Sequence, residues 1–392
     1  MTDKIYNIPA GCAFAEVLAG HFLREYHGRE LELTDVLFLL PNRRAVKALK
    51  DAFVRLQGLA PTLLPQMLPI GDVEEDELFL TGFDQSSALA TLAPAISRAE
   101  RLLLFTKIIM AKPIEYGIEK LAANQACYLA QELANLIDTV HNQGLSFDRL
   151  TDLVPEEYAV HWQETLKFLQ IITEYWPQIL AERQLIDASD RRNRLLRAQI
   201  DLWRQNPPVK RIVAAGTTAA FPLMKELVKT VLSLEKGELY LAGIDKFLED
   251  EAWEKIDETH PQHELKELLD YLTVRREDIP DLQAPENFGR EVLISEVMRP
   301  AATTEKWRDI AGKKIRHEAA DGITLVNCAD MREEALTIAL LLREAVETPE
   351  KTAALVTGDR NLARRVAAEF ERWNLKVDDS AGHFSAADGS GL

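Results

Sequence analysis

Cysteine is scarce: the 392 residues contain three, Cys12, Cys127 and Cys328. They lie far apart and form no C-x-x-C pair, which excludes a zinc knuckle and a disulfide framework. No apolar run approaches the ~18 residues that span a bilayer. The opening MTDKIYNIP has no basic segment followed by an apolar one, so no secretory signal is visible. Positive charge is also short. Lys and Arg number 46 against 63 Asp and Glu, a net charge of −17, which argues against coating nucleic acid through bulk electrostatics. Any polyanion must therefore be met by a few placed Arg and Lys side chains. These absences together predict a cytoplasmic protein with no membrane partner.

A further absence sits near the start. Ile5-Tyr6-Asn7-Ile8 reads as a short strand, Gly11 as a turn, and Val17, Leu18, Phe22 and Leu23 as one face of a helix. That is how a phosphate-binding P-loop begins. Yet Phe14 and Ala15 stand where ATP hydrolysis needs a Lys for the β/γ-phosphates and a hydroxyl for Mg²⁺. The later strands RIVAAGTT and ELYLAGID lack the Asp-Glu pair that holds Mg²⁺ and positions water; Asp245 has no acidic neighbour of that kind. The segment predicts a structural turn, with no catalytic, cofactor or metal residue assigned.

What is present is a clear α/β pattern. A length of 392 residues implies two or three domains. Val36 to Leu40 is a continuous apolar run, as in a strand buried on both faces of a parallel sheet, and Ala45, Leu49, Ala52, Phe53 and Leu56 follow at helical spacing. From Ser97 to Asn206 the texture is helical throughout. Ser97-Arg98-Ala99-Glu100 opens it as a capping box, and Gly144 ends one of its helices. After Pro207-Pro208 strands return at Lys210 to Thr218 and Gly237 to Asp245, around a helix from Leu223 to Leu234. A βα series interrupted by helices and then resumed predicts a helical domain inserted into an α/β domain.

The expected boundaries are residues 1–96 and 207–300 for a first parallel-sheet lobe and 97–206 for the inserted helical domain. Residues 301–320 form a linker, 321–380 the start of a second lobe, and 381–392 an irregular tail. In the second lobe, strands are expected over 321–330, at Ala353 to Val356 and from Leu375 to Val377, with helices Glu333 to Glu347 and Leu362 to Trp373. Three strands make a thin sheet, so that lobe is expected to be incomplete.

Asn42, Arg43 and Arg44 form the most informative polar cluster. They fall where a predicted strand ends and a helix begins, the edge of a parallel sheet at which ligands bind. Arg and Asn side chains with open helix-start N–H groups suit phosphodiester oxygens, although a solvated capping cluster has the same composition. Arg191, Arg192, Arg194 and Arg197 cannot share one helical face and read chiefly as solvated. Asp72, Glu75 and Asp76 read as a solvated acidic loop, and His260 with His263 lacks a third ligand for zinc.

Several blocks, in this order, carry a family resemblance: YNIPAG, DVLFLLPNRRAVKALKDAFVRLQG, LLPQMLPIGDVEEDEL, RIVAAGTTAAFP, HPQHELKELLD, SEVMRP and DRNLARRVAAEFERWNLKVDDSAG. Over about residues 5 to 383 the sequence resembles the N-terminal region of the AddB family, of the alphaproteobacterial type. The resemblance implies a superfamily-one helicase-like arrangement: a RecA-like lobe, an inserted helical domain and a second RecA-like lobe. It implies a non-motor, DNA-binding role beside the AddA subunit in a helicase–nuclease that processes double-strand breaks for homologous recombination. The partners implied are AddA and DNA, single-stranded and at duplex ends. By position, Asn42-Arg43-Arg44 matches the helicase motif that touches the single strand. Family members continue into a RecB-type nuclease domain, and some carry iron–sulfur cysteines; neither feature is found in these 392 residues, so the resemblance assigns no nuclease activity here. Two other readings stand beside it: a purely structural partner of AddA, and a divergent ATPase built on Gly11 and Asp245.

Overall fold

In the computed structural model the described residues are 2–58, 63–70, 92–111, 121–147, 168–310, 317–349 and 351–379. Five strands, β1 (Ile5–Ile8), β2 (Val36–Leu40), β3 (Gln66–Pro69), β4 (Arg211–Ala215) and β5 (Gly237–Ala242), form one sheet in the order β1-β5-β4-β2-β3. Every pairing is parallel, and an isolated parallel bridge joins Asn7 to Asp281 on the far side of β1. The order is compatible with a RecA-like α/β fold.

Strand alternation creates two cores. Leu37 and Leu39 of β2, Ile212 and Ala214 of β4, and Leu239 and Leu241 of β5 point to one face. Val36, Phe38 and Leu40, with Val213, Ala215 and Tyr240, point to the other. Helices α1 (Phe14–Glu25) and α2 (Arg43–Gln57) cover the second face with Leu18, Phe22, Leu49 and Phe53, all at most 1% exposed. Burying an aromatic or Leu side chain of this kind stabilises by about 1.5–3 kcal/mol. β3 escapes the sequence reading because Pro65 precedes it and Pro69 is its last residue. Proline cannot donate to a ladder and is confined to edges, and β3 is an edge strand.

The helical segment has its own core. Helix α3 (Arg98–Ala111) packs on α4 (Ala123–Asn142), with Phe105, Ile109, Ala130 and Ile137 buried against Trp176 at the start of α5 (Trp176–Arg183). Ser97 caps α3 by accepting the Glu100 N–H at 3.2 Å, but the Glu100 carboxylate turns to Arg183 instead of closing the capping box. Gly144 takes φ +64° after α4, and the Leu145 N–H reaches back to the Val140 carbonyl, as the expected C-terminal stop requires. Helix α6 (Ala188–Gln205) serves both cores. Its first turns bond to α4 through Asn193 and His141, while Leu196, Ile200 and Trp203 lie in the sheet core beside α7 (Pro222–Ser233).

The chain divides into two compact units, residues 1–319 and 320–392. The second unit contains α11 (Met331–Glu347) and α12 (Arg360–Glu371), each started by an aspartate, Asp330 or Asp359, that accepts two backbone N–H groups. Its expected strands differ from prediction: among the described residues they run without ladder pairing. Leu355, Leu375 and Val377 turn inward onto Leu362, Val366 and Phe370, while Leu325 and Val356 are 85% and 94% exposed. An alternating pattern supplies an inner face, but a strand also needs a neighbouring strand for its N–H and C=O groups.

Candidate nucleic-acid interface at the C-terminal edge of the sheet

The loops leaving β1, β2, β4 and β5 collect at one edge. Helix α2 leaves β2 on one face and α7 leaves β4 on the other, so a crevice opens between these adjacent strand ends. A cavity of about 180 Å³ lies there. Pro41, Ile70, Leu196, Phe221 and Met224 give it apolar walls, and Arg192, Asn193, Thr217 and Thr218 supply polar groups.

Asn42 directly follows Pro41. Its extended backbone (φ −158°, ψ 172°) lets the side chain accept the Ala45 N–H at 2.9 Å, which starts α2. Arg43 and Arg44 follow in the first turn, both exposed. The predicted trio is thus brought together at the sheet edge. Asn42 commits its carbonyl oxygen to the helix start, and the exposed side chains of Arg43 and Arg44 follow it along the first turn.

The loop after β1 is closely packed. Phe14 lies against Gly216 at the end of β4, where an added Cβ would meet the ring at 3.3 Å; Gly216 itself has φ +66°. The Gly11 N–H donates to the Glu291 carboxylate at 2.7 Å, bringing α10 (Phe288–Val297) onto the loop. An aromatic ring and an internal carboxylate therefore hold ground that a P-loop gives to phosphate. Beside them Gly243 closes on Ala10 at 3.1 Å, measured from an added Cβ. Asn7, 1% exposed, ties the loops together by donating to Asp281 at 2.7 Å and accepting the Ile244 N–H at 3.0 Å. Asp245 spends Oδ1 on the N–H groups of Phe247 and Leu248, which makes it a turn cap.

The arginine run divides between faces as its spacing implied, but the solvated reading fails for two of the four, because Arg191 is buried and Arg192 half-buried in packing against neighbouring segments. Arg191 is buried and donates to the Ala93 carbonyl at 2.8 Å, Arg192 reaches Asn142 and lines the cavity, Arg194 pairs with Asp190 at 2.8 Å, and Arg197 is exposed. His260 Nε2 contacts the Met298 carbonyl and His263 faces Glu267, so the two rings serve separate local contacts. Asp72, Glu75 and Asp76 lie outside the described residues.

At the opposite edge Arg211 is buried, paired with Glu25 at 2.6 Å and with both oxygens of Glu238. Burial opposes its charge, but the hydrogen bonds it donates to Glu25 and Glu238 outweigh it and push the guanidinium pKa up. The group over-determines the starts of β4 and β5 and is remote from the strand-end loops.

Sequence reasoning missed Glu291. It lies 280 positions from Gly11, in a helix whose local pattern marks no carboxylate as special. No family model matches the chain, and no curated protein matches it.

Proposed function

We propose that the chain is the helicase-like, DNA-binding and non-hydrolysing part of a double-strand break repair helicase–nuclease, of the AddB type, acting beside an AddA-type motor subunit in homologous recombination. The family blocks in the sequence and the parallel-sheet order support the reading. One observation carries it furthest: the loop that begins like a P-loop is filled by Phe14 on Gly216 and by Glu291 on Gly11, while Arg43 and Arg44 stand exposed at the same edge. The lobe keeps the ligand-binding edge and gives up the phosphate cradle. In this reading Asn42, Arg43 and Arg44 hold phosphates of a single strand, each guanidinium making a charge-assisted hydrogen bond. The inserted helical segment and the second unit correspond to the inserted domain and the second lobe of such a subunit.

The test is single-strand binding across a salt series with Arg43→Ala and Arg44→Ala combined. Each neutralised phosphate on a single strand contributes a slope of roughly −0.7, so the double variant should flatten the salt dependence by roughly one to one and a half units for every sequence alike. Circular dichroism checks the fold. An unchanged slope in a folded variant overturns the DNA assignment of this turn, and loss of AddA-type subunit binding alone favours the scaffold reading.

A further inference from the structure

We propose that the cavity between the ends of β2 and β4 binds a free small molecule: a neutral aromatic heterocycle with one hydrogen-bond donor and one acceptor on its edge. The inference stands apart from the DNA-binding reading, because it uses none of the side chains of the Asn42–Arg44 turn.

Size and position set the first limits. The cavity holds about 180 Å³. A protein cavity of ~150 Å³ walled by Leu, Ile and Phe takes up benzene, so the volume here suits one ring with small substituents. Helices α2 and α7 leave the adjacent strands β2 and β4 on opposite faces, and parallel α/β sheets bind ligands where successive helices part in this way.

The loop after β4 reaches the cavity in an uncommon conformation. Gly216 takes φ +66°, and Ala219, 2% exposed, takes φ +51°, a region that residues with a Cβ rarely enter. Thr217 Oγ1 holds the turn by accepting the Ala219 N–H at 3.1 Å. Backbone strain of this kind persists where the surroundings over-determine it, and it clusters at ligand sites.

The walls define the chemistry of the ligand. Buried Ile70, Leu196 and Met224 and the half-buried ring of Phe221 offer aliphatic, thioether and aromatic contacts. A flat π system suits all of them, since both the sulfur and the ring favour aromatic partners. Two polar groups in the lining have capacity left. Thr217, 5% exposed, accepts from Ala219, but among the described residues its hydroxyl proton has no acceptor. Asn193 donates its NH₂ to the His141 carbonyl at 2.7 Å, but among the described residues its Oδ1 receives no donor. A ring with a C=O for Thr217 and an N–H for Asn193 satisfies both, whereas a hydrocarbon ring satisfies neither. The lining contains no carboxylate, so a cationic ring would find no counter-charge there.

The test uses the full chain and saturation-transfer NMR with 2-pyridone, which carries an N–H and a C=O on one ring. Toluene matches its size without them. 2-Pyridone should bind the wild type and be lost with Ala220→Phe, whose added ring fills the cavity from its lining. Thr217→Val should weaken 2-pyridone by roughly three- to tenfold, the range of one hydrogen bond, and leave toluene unaffected; Thr217→Ser should bind as wild type does. Circular dichroism checks each fold. No 2-pyridone binding by the folded wild type overturns the proposal, as do equal binding of toluene, equal binding by folded Ala220→Phe, or unchanged affinity in Thr217→Val. Tighter binding of benzoate than of 2-pyridone overturns the neutral class and gives the site to Arg192. Displacement of 2-pyridone by oligo(dT) overturns a free small-molecule site, because the ring held there would then be a base of the strand.

Discussion

Replacing Arg101 with Met asks whether one buried ion network holds the helical segment together. The Arg101 side chain, 9% exposed, makes two hydrogen bonds to Asp138, at 2.8 and 2.6 Å, and one to Asp187 at 3.3 Å. Asp187, whose side chain is 4% exposed, also accepts the Trp176 indole N–H at 2.8 Å. Met preserves much of the apolar stem and removes the charge, so Asp187 is left with the indole as its side-chain donor. Breaking a buried pair by removing one partner costs about 3–5 kcal/mol. Asp138 is 34% exposed and can rehydrate, which places the expected loss near the lower end, about 3 kcal/mol. The pH dependence sharpens the test. Burial opposes the Asp138 charge, but hydrogen bonds from Arg101 and Ser189 hold its carboxyl below the ordinary 3.8. A depressed carboxylate pKa contributes stability that is present above the ordinary value and lost as pH falls through the folded one. Arg101→Met removes the larger part of that contribution and leaves the Ser189 hydrogen bond, so the gap between variant and wild type should be widest near neutral pH and narrow below about pH 4. Urea unfolding followed by far-UV circular dichroism at both pH values measures it. A loss under about 1 kcal/mol at neutral pH, or a gap that widens toward acid, refutes the network as the support.

Gly237→Ala should be far worse than its size suggests, because an added Cβ would sit 1.7 Å from the Val231 backbone carbonyl oxygen, where no side chain can move aside. A loss of about 3 kcal/mol or more is expected in urea titration, and a near-neutral result contradicts the packing of β5 on α7. Asn42→Ala should cost about 1 kcal/mol by removing the α2 cap, and Asn42→Asp should recover it; equal stability of the two variants would show that the cap is idle. Writing the missing groups into the first loop, Phe14→Lys with Ala15→Thr, should still give no ATP turnover, because Glu291 remains on the Gly11 N–H and Asp245 remains a turn cap. DNA-stimulated phosphate release that disappears on Gly11→Val would contradict this.

Local features of the chain were legible without coordinates. Five consecutive apolar residues marked β2 as a doubly buried strand, helical spacing marked the inner face of α2, and Asn42 and Gly144 marked a start and a stop. Each depends on neighbours within a few positions, where steric preference and hydrogen-bond satisfaction act directly. The empty Lys and hydroxyl positions at Phe14 and Ala15 were equally plain, because a motif is a matter of identity and spacing. Long-range arrangement was not. The order β1-β5-β4-β2-β3, the recruitment of Leu196, Ile200 and Trp203 from the helical segment into the sheet core, and the carboxylate of Glu291 on Gly11 join residues whose separation leaves no local trace. The segments around Leu325 and Val356 carry strand-like patterns, yet they form no ladder among the described residues. Propensity and alternation prepare a strand's faces, whereas its hydrogen bonds come from whichever neighbour the folded chain brings alongside.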